Sequence, residues 1–269
     1  MGIGYLESGV RQKGLVSVVM PAYNAAPFIG SAVESVLRQT YADLELVVVD
    51  DASKDKTASV LRGLHADARL RVLRHETNGG VARARNTALE ASRGQYIAFL
   101  DADDLWEPDK LRKQIAAMQE AGVHASHASY FRFRTGDEGR AGVVRCRPRV
   151  ARGDMIDGNL IGNLTGIYDS AALGVIFQRP IGHEDFLMWL AVLGHTDSVG
   201  VDTPLAWYRE ATGGVSSNYL RSAGWHYRLI RSEFGLSPPR AILHMVGYAW
   251  KALGKRAYLL ASEGGSGSS

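Results

Sequence analysis

The stretch Ile97-Ala98-Phe99-Leu100-Asp101-Ala102-Asp103-Asp104 is an apolar run of strand character that breaks abruptly into three carboxylates. A buried strand delivering acids to its C-terminal end is how α/β proteins place a hard cation beside a substrate phosphate. Two carboxylates two residues apart, Asp101 and Asp103, point the same way in an extended segment and suit one divalent cation. Taken alone, the triplet equally describes solvated loop acids.

The chain before this stretch repeats the same strand–turn–helix order. Leu15 to Met20 reads as a buried strand ended by Pro21, which lacks the N–H a ladder requires. Phe28, Ile29, Ala32, Val33, Val36 and Leu37 recur at helical spacing. Leu44 to Val49 is a second strand running into Asp50-Asp51, with Ser53 as N-cap of a helix through Leu64. Leu70 to Leu73 gives a third strand, then an Asn78-Gly79-Gly80 turn and a helix from Val81 to Ala91; Gln95 to Leu100 is the fourth. Four such repeats with short loops predict a mostly parallel, twisted sheet flanked by helices, with ligands at the strands' C-terminal ends. After Pro108 a helix from Asp109 to Ala121 leads to an added strand within His124–Phe133. Gly136 to Gly153, rich in Gly and Arg, reads as a mobile loop, and a less regular pattern resumes from Met155 to Trp207.

Composition narrows the class. The 269 residues are 46% hydrophobic and 22% charged, which excludes a disordered chain. A net charge of +3 is mild but uneven. Basic residues crowd Arg132–Arg152 and the chain from Arg221 onward, whereas acids gather near Asp50, Asp101 and Glu184. That asymmetry fits acidic sites in a protein that approaches an anionic surface. Cys146 is the only cysteine, so an internal disulfide and a thiolate zinc site are excluded and a reducing compartment is expected. Met1–Gly14 has no apolar signal segment, and no apolar run reaches the roughly 18 residues of a membrane span. Glu263–Ser269 reads as a flexible linker tail.

Other positions carry chemistry with alternatives open. Asp50-Asp51 either caps the helix that follows or hydrogen-bonds a nucleotide's base or ribose. Asn78 to Asn86 joins a tight glycine turn to a helix start, where backbone approaches a ligand and anions are attracted. It is neither a Walker A loop nor GxGxxG, so no ATP or NAD site is expected. Arg83 and Arg85 leave that helix on different faces, so at most one meets a ligand.

Four motifs in order, Val18–Asn24, Val48–Asp55, Asn78–Asn86 and Phe99–Asp104, closely resemble the family 2 glycosyltransferases of the GT-A fold. The resemblance is strong over residues 15–110 and looser to about 215. It implies a Rossmann-like α/β catalytic domain over 15–215, with a nucleotide-sugar half (15–110) and an acceptor half (111–215). An N-terminal extension (1–14), a C-terminal helical region (216–262) and the tail (263–269) flank it. It further implies a UDP-sugar donor, Mn²⁺ or Mg²⁺, and inversion at the anomeric carbon. Carried over, it makes Pro21, Tyr23 and Asp50 uracil and ribose contacts, with Asp51 and Arg74 nearby. Asn78, Gly79 and Arg83 belong to the donor turn, Asp101 and Ala102 to the ribose or sugar, and Asp103 to the metal. Trp106 either walls the sugar pocket or packs in the core.

The resemblance also implies a base downstream. Gly182-His183-Glu184-Asp185 supplies it as Asp185, with Glu184 orienting a neighbour or touching the acceptor; an acid pair starting an apolar helix is the plainer reading. Thr165 lies in Gly158–Thr165, where the family builds acceptor contacts or where the glycines simply allow tight backbone packing. Arg209, before Gly213–Ser217, lies in a segment that can close over the diphosphate, or is a solvated surface arginine.

On a helical wheel from Arg240 to Leu260, Ile242, Val246, Ala249, Trp250 and Leu253 oppose Arg240, His244, Lys251 and Lys255. That pattern suits either an anionic membrane interface or packing on the protein itself. The expected activity is transfer of a hexose or N-acetylhexosamine to a lipid-linked saccharide of a bacterial surface polysaccharide. The expected place is the cytoplasm, peripheral on the inner membrane's cytoplasmic face; nucleic acid is not an expected partner. A sugar-1-phosphate nucleotidylyltransferase is disfavoured, because no glycine-rich basic loop follows the first strand. A non-catalytic nucleotide-sugar-binding scaffold is the other alternative.

Overall fold

The computed structural model describes residues 5–6, 11–64, 66–136, 142–210 and 219–245. Two compact units divide the chain: residues 1–152 with 160–212, and residues 153–159 with 213–269.

In the first unit the strands are β1 (Tyr5–Leu6), β2 (Gln12–Ala22), β3 (Leu44–Asp50), β4 (Leu70–Arg74), β5 (Gly94–Phe99), β6 (Leu105–Trp106), β7 (Ala125–Phe133), β8 (Gly142–Val144), β9 (Arg149–Val150), β10 (Ile167–Asp169), β11 (Val175–Ile176) and β12 (Ser198–Arg209). The helices are α1 (Ile29–Leu37), α2 (Thr57–Gly63), α3 (Val81–Ala91), α4 (Lys110–Ala121), α5 (Ser170–Leu173) and α6 (Glu184–Val192). The main sheet runs β4-β3-β2-β5-β10-β7-β12-β6, with β8 on β7 and β9 on β12; β1 and β11 form a separate ladder. Its first four strands are parallel. All seven residues of β3 are buried, the near-continuous apolar run of a strand covered on both faces. Ile29, Ala32, Val33 and Val36 form the buried stripe of α1.

The sheet is mixed beyond β5. β10 pairs antiparallel with both β5 and β7, while β7 and β12 are parallel. Pro21 does not end β2, which continues to Ala22 opposite Asp50. Val19 O accepts from Leu100 N, and Ala22 O from Asp51 N. Backbone groups alternate sides along a strand, so the N–H that Pro21 lacks faces the β5 side beyond Phe99, where the ladder has ended. Ser53 does not cap α2; the helix starts at Thr57, and Ser53 Oγ instead accepts from Asn24 N at 2.9 Å. The arginine-rich Gly136–Gly153 stretch contains β8 and β9 rather than being loop throughout.

At the N-terminal end of the parallel strands, buried Glu45 accepts from Ser17 Oγ (2.6 Å), Arg93 N (2.7 Å) and Arg71 Nη1 (2.9 Å). Burial pushes its pKa up, but these bonds outweigh it and hold the carboxyl below its ordinary value. Gly94 passes so close that a Cβ there would lie 2.6 Å from Leu15 O and 2.7 Å from Ser17 N.

In the second unit, α7 (Tyr219–Phe234) buries His226, Leu229 and Ile230, and His226 Nε2 sits 3.1 Å from Ile156 O. Residues 238–245 are helical, with Ala241 buried and Ile242 and Leu243 exposed. Val246 to Leu260 of the amphipathic pattern, and Gly213–Ser217, lie outside the described residues. No helix among the described residues is long and apolar enough to cross a membrane.

Gly94→Ala should lower unfolding free energy by about 1–3 kcal/mol, because backbone atoms must move to admit the methyl. Urea melts would show it as a lower midpoint at unchanged slope, and an unchanged midpoint would refute the close approach.

Candidate active site

The parallel strands β2, β3 and β5 end side by side, and their C-terminal ends floor a cavity of about 480 Å³. Pro21, Ala22, Tyr23, Asn24, Ala25 and Phe28 line one side, Asp51, Asn78, Gly80, Val81 and Ala84 another, and Asp101, Ala102 and Asp103 a third. Two loops close its base: Asn24 Oδ1 accepts from Lys54 N at 2.9 Å and Thr57 Oγ1 from Ala25 N at 2.8 Å. Asn24 and Ala52 hold left-handed backbone at φ 49° and 60°, the second a costly conformation for alanine.

The adjacent acids of β3 have separate jobs. Asp50 is buried; its Oδ1 accepts from Ser53 N at 2.9 Å and its Oδ2 lies 3.4 Å from Arg74 Nε. It stands beneath the loop rather than lining the cavity. The Asp51 carboxylate builds the glycine turn, accepting from Gly79 N (3.0 Å) and Gly80 N (2.8 Å) and pairing with His75 Nδ1 (2.6 Å). Burial raises its pKa, and the bonds from His75, Gly79 and Gly80 more than reverse this. Gly80 adopts φ 85° and caps α3. Over Gly79 lies the exposed Arg83 side chain, whose Cδ would sit 2.2 Å from a Cβ there.

Arg85, two positions on, is the buried arginine that sequence reasoning passed over. Its Nη2 donates to Asp101 Oδ1 at 2.5 Å and Nη1 to Gln178 Oε1 at 3.2 Å. The signal was present: positions 82, 85, 88 and 89 are the inward stripe of α3. Burial works against its charge, and the carboxylates of Asp101, Asp185 and Glu184 outweigh it. Phe28 and Asn24 were likewise missed as cavity residues, since nothing in a helical stripe or a loop marks the side that faces a void.

Asp101, Asp103 and Asp104 crowd one another. Burial, then the Asp101 charge, push Asp103 up and Asp104 well up. Asp104 faces inward and accepts from Arg209 N at 2.8 Å. The Arg209 guanidinium donates to Asp103 O and Thr135 Oγ1, both at 2.8 Å, and lies 4.5 Å from the ring centres of Phe28 and Phe133. No group of three or more His, Cys, Asp or Glu that could hold a metal is found among the described residues. A single partly exposed carboxylate beside a diphosphate-sized cavity is nevertheless the donor set Mg²⁺ and Mn²⁺ use when phosphates and water complete the shell. Burial first and the Asp101 charge second raise the Asp103 pKa, and a cation held there would favour its ionised form.

Asp185 sits in the first turn of α6, behind Gly182 (φ 83°) and His183 (φ 54°), and Glu184 Oε1 accepts from Gly182 N at 3.3 Å. Burial raises the Asp185 pKa; Arg85 draws it down and Asp101 adds to the rise. The helix is anchored by Trp189, whose ring meets Phe99 edge-on at 5.9 Å and Tyr168 at 6.3 Å. Gly166 makes room for that ring, as a Cβ there would lie 1.9 Å from Trp189 Cζ2.

Two expected contacts turn inward. Trp106 does not wall the cavity: it is buried, donates from Nε1 to Leu164 O at 2.7 Å, and carries Lys110 Nζ 4.0 Å over its ring. Thr165 is fully buried, its Oγ1 donating to Gly162 O at 2.8 Å, so it holds a turn rather than facing a ligand.

Known proteins are similar to this chain in sequence and fold. The TuaG glycosyltransferase of Bacillus subtilis, named for teichuronic acid biosynthesis, is 35% identical over 91% of this chain and 98% of its own. WfgD of Escherichia coli, a UDP-Glc:alpha-D-GlcNAc-diphosphoundecaprenol beta-1,3-glucosyltransferase, is 32% identical over 91% of this chain and 96% of its own. The fold matches the crystal structure of S. aureus TarS residues 1–349 in complex with UDP-GlcNAc at a TM-score of 0.69, with 23% identity over 87% of this chain and 71% of that one. The family model described as glycosyl transferase family 2 matches residues 17–168, which covers every strand end that floors the cavity. By its sequence, its sheet and the acids at its strand ends, this chain belongs to glycosyl transferase family 2 and is a glycosyltransferase of the GT-A fold.

Proposed function

We propose that this enzyme transfers a hexose or N-acetylhexosamine from a UDP-sugar, with inversion, to a hydroxyl of a polyprenyl-diphosphate-linked saccharide in bacterial surface polysaccharide synthesis. The observation carrying this reading is that Arg85 reaches Asp101 at the cavity edge while its charge also acts on Asp185. One buried cation thereby links the donor cavity to the acid at the start of α6. The specificity printed for WfgD supports a UDP-sugar donor and a lipid-linked acceptor.

In this reading Pro21 and Tyr23 hold the uracil, with Asp50 and Arg74 fixing the loop around the ribose. Asp51 and Asn78 shape the turn, and the first turn of α3 presents its N-terminal dipole to the diphosphate. Asp103 is the protein's ligand to Mn²⁺ or Mg²⁺, which when bound offsets charge on the departing UDP without protonating it. Arg209 positions Asp103 through its carbonyl and adds positive charge beside the phosphates. Asp101, held by Arg85, faces the sugar.

Asp185 takes the proton from the acceptor hydroxyl as that oxygen attacks the anomeric carbon opposite UDP. The new C–O bond forms, the sugar–phosphate bond breaks, the electron pair leaves with UDP, and Asp185 keeps the proton. Its raised pKa brings it closer to the operating pH, which strengthens it as a base. Glu184 holds the Gly182 turn that aims it. A lipid-linked acceptor places the enzyme at the cytoplasmic face of the inner membrane as a peripheral protein, with catalysis confined to residues 15–215.

Purified protein given UDP-hexoses and UDP-N-acetylhexosamines with Mn²⁺ should slowly release UDP from one of them; neither turnover nor binding of any would refute the reading. Asp185→Asn should cut transfer by about 100- to 10,000-fold with UDP affinity retained. Asp103→Ala should instead weaken metal-dependent UDP binding, and the opposite pattern would reverse the two assignments. A folded pKa raised above its unfolded value means that ionising Asp185 costs stability as pH rises through that window. Asp185→Asn should therefore melt no lower than wild type at neutral pH. At saturating donor, transfer should fall as pH drops through an acid limb lying above the ordinary aspartate range. A limb at the ordinary value would exclude Asp185 as the base.

A further inference from the structure

The arginine-rich segment between β8 and β9 takes no part in the transfer site. Residues 139–153 contain five arginines and no acid. Its described part is an arm pressed onto β7 and β12. Cys146 N donates to Ser129 Oγ at 3.0 Å, and Gly200 N to Pro148 O at 2.8 Å. The approach at Gly200 is close enough that a Cβ there would lie 1.9 Å from Arg147 O. Val144 and Cys146 are half-buried and Val150 is buried, whereas Arg145, Arg147 and Arg149 are all exposed. Between β8 and β9 the chain is irregular and bends at Pro148, and the three arginines crowd within five residues of an arm whose Val144, Cys146 and Val150 turn inward. The side chains of Arg145 and Arg149 keep 63% and 68% of their exposure although they pair with Asp202 and Asp197. Such solvated pairs are weak and screened by salt, so they leave the guanidinium groups available to stronger anions. Val143, at the start of the arm, is an exposed apolar side chain.

We propose that this arm is a docking surface for an anionic phospholipid membrane, with Arg145, Arg147 and Arg149 engaging headgroup phosphates and Val143 entering the interface. Guanidinium forks match phosphate oxygens, and each basic residue held near an anionic leaflet adds to binding. The arm's backbone is already fixed by the sheet, so little order must be gained on contact. Its purpose rests on the lipid-linked acceptor proposed above. Its test does not, since vesicle binding is read without donor or acceptor and either idea can fail alone.

The full chain should co-sediment with vesicles of phosphatidylcholine mixed with phosphatidylglycerol and not with phosphatidylcholine alone. Combining Arg145→Gln, Arg147→Gln and Arg149→Gln should lower the partition coefficient by about 10- to 100-fold while donor turnover is unchanged. The matching triple change to Lys should retain most binding, because the charge survives. If the Gln triple variant melts, Arg147→Gln alone should still give a several-fold loss. Wild-type protein that ignores anionic vesicles or binds neutral ones equally would overturn the proposal. So would a folded Gln variant that binds as wild type does.

Discussion

The packing of Trp189 against Phe99 is the contact that ties the acids of the cavity to the acids that start α6. Phe99 ends β5 two residues before Asp101, and Trp189 lies one helical turn after Asp185. Their edge-on contact at 5.9 Å therefore fixes the distance between the donor acids and the acid on α6. The contact is apolar and fully buried, so it does not change when the acids around it gain or lose protons. An aromatic pair of this kind contributes about 0.5–1.5 kcal/mol beyond the area it buries. A polar link runs beside it: Met188 Sδ meets Gln178 Nε2 at 3.6 Å, and Gln178 in turn holds Arg85.

Carboxylates lie at both ends of the parallel strands, and they are held differently. At the N-terminal end Glu45 is buried but fully bonded, and its lowered pKa means that it stabilises the fold above the unfolded carboxylate pKa and loses that contribution in acid. Toward the C-terminal end Asp51 is likewise bonded and lowered, whereas Asp103, Asp104 and Asp185 are raised by burial and by the Asp101 charge, and each of these three opposes folding while ionised. Left-handed backbone at Asn24, Ala52 and His183 gathers at this same end. Crowded carboxylates and left-handed backbone thus gather toward the cavity, while the Glu45 network and the buried faces of β3 and α1 hold the sheet together.

The sequence made the donor half readable because its signals are local. Strands β3 and β5 are apolar runs that lead into acids, β2 is a similar run that leads into Pro21-Ala22-Tyr23-Asn24, and the Asn78-Gly79-Gly80 turn needs glycine for reasons visible in the chain itself. The second half was harder. β10 is three residues long and antiparallel to both neighbours, so no periodicity announces it. Trp106 and Thr165 were ambiguous because an inward and an outward residue look alike until the opposing element is known, here Leu164 for the one and Gly162 for the other. Arg85 was hidden by its type: a buried arginine is uncommon, and only the acids that surround it explain its place. The arm from β8 to β9 read as loop because its strands form only against β7 and β12.

In the proposed reaction Asp185 activates the acceptor oxygen on the face of the sugar opposite the leaving UDP. The most direct test is the anomeric configuration of the product, read by NMR after transfer from an α-linked UDP-sugar. The proposed single displacement at the anomeric carbon predicts a β-linked product. An α-linked product would contradict the account, since it requires either a covalent intermediate or attack from the side that UDP occupies.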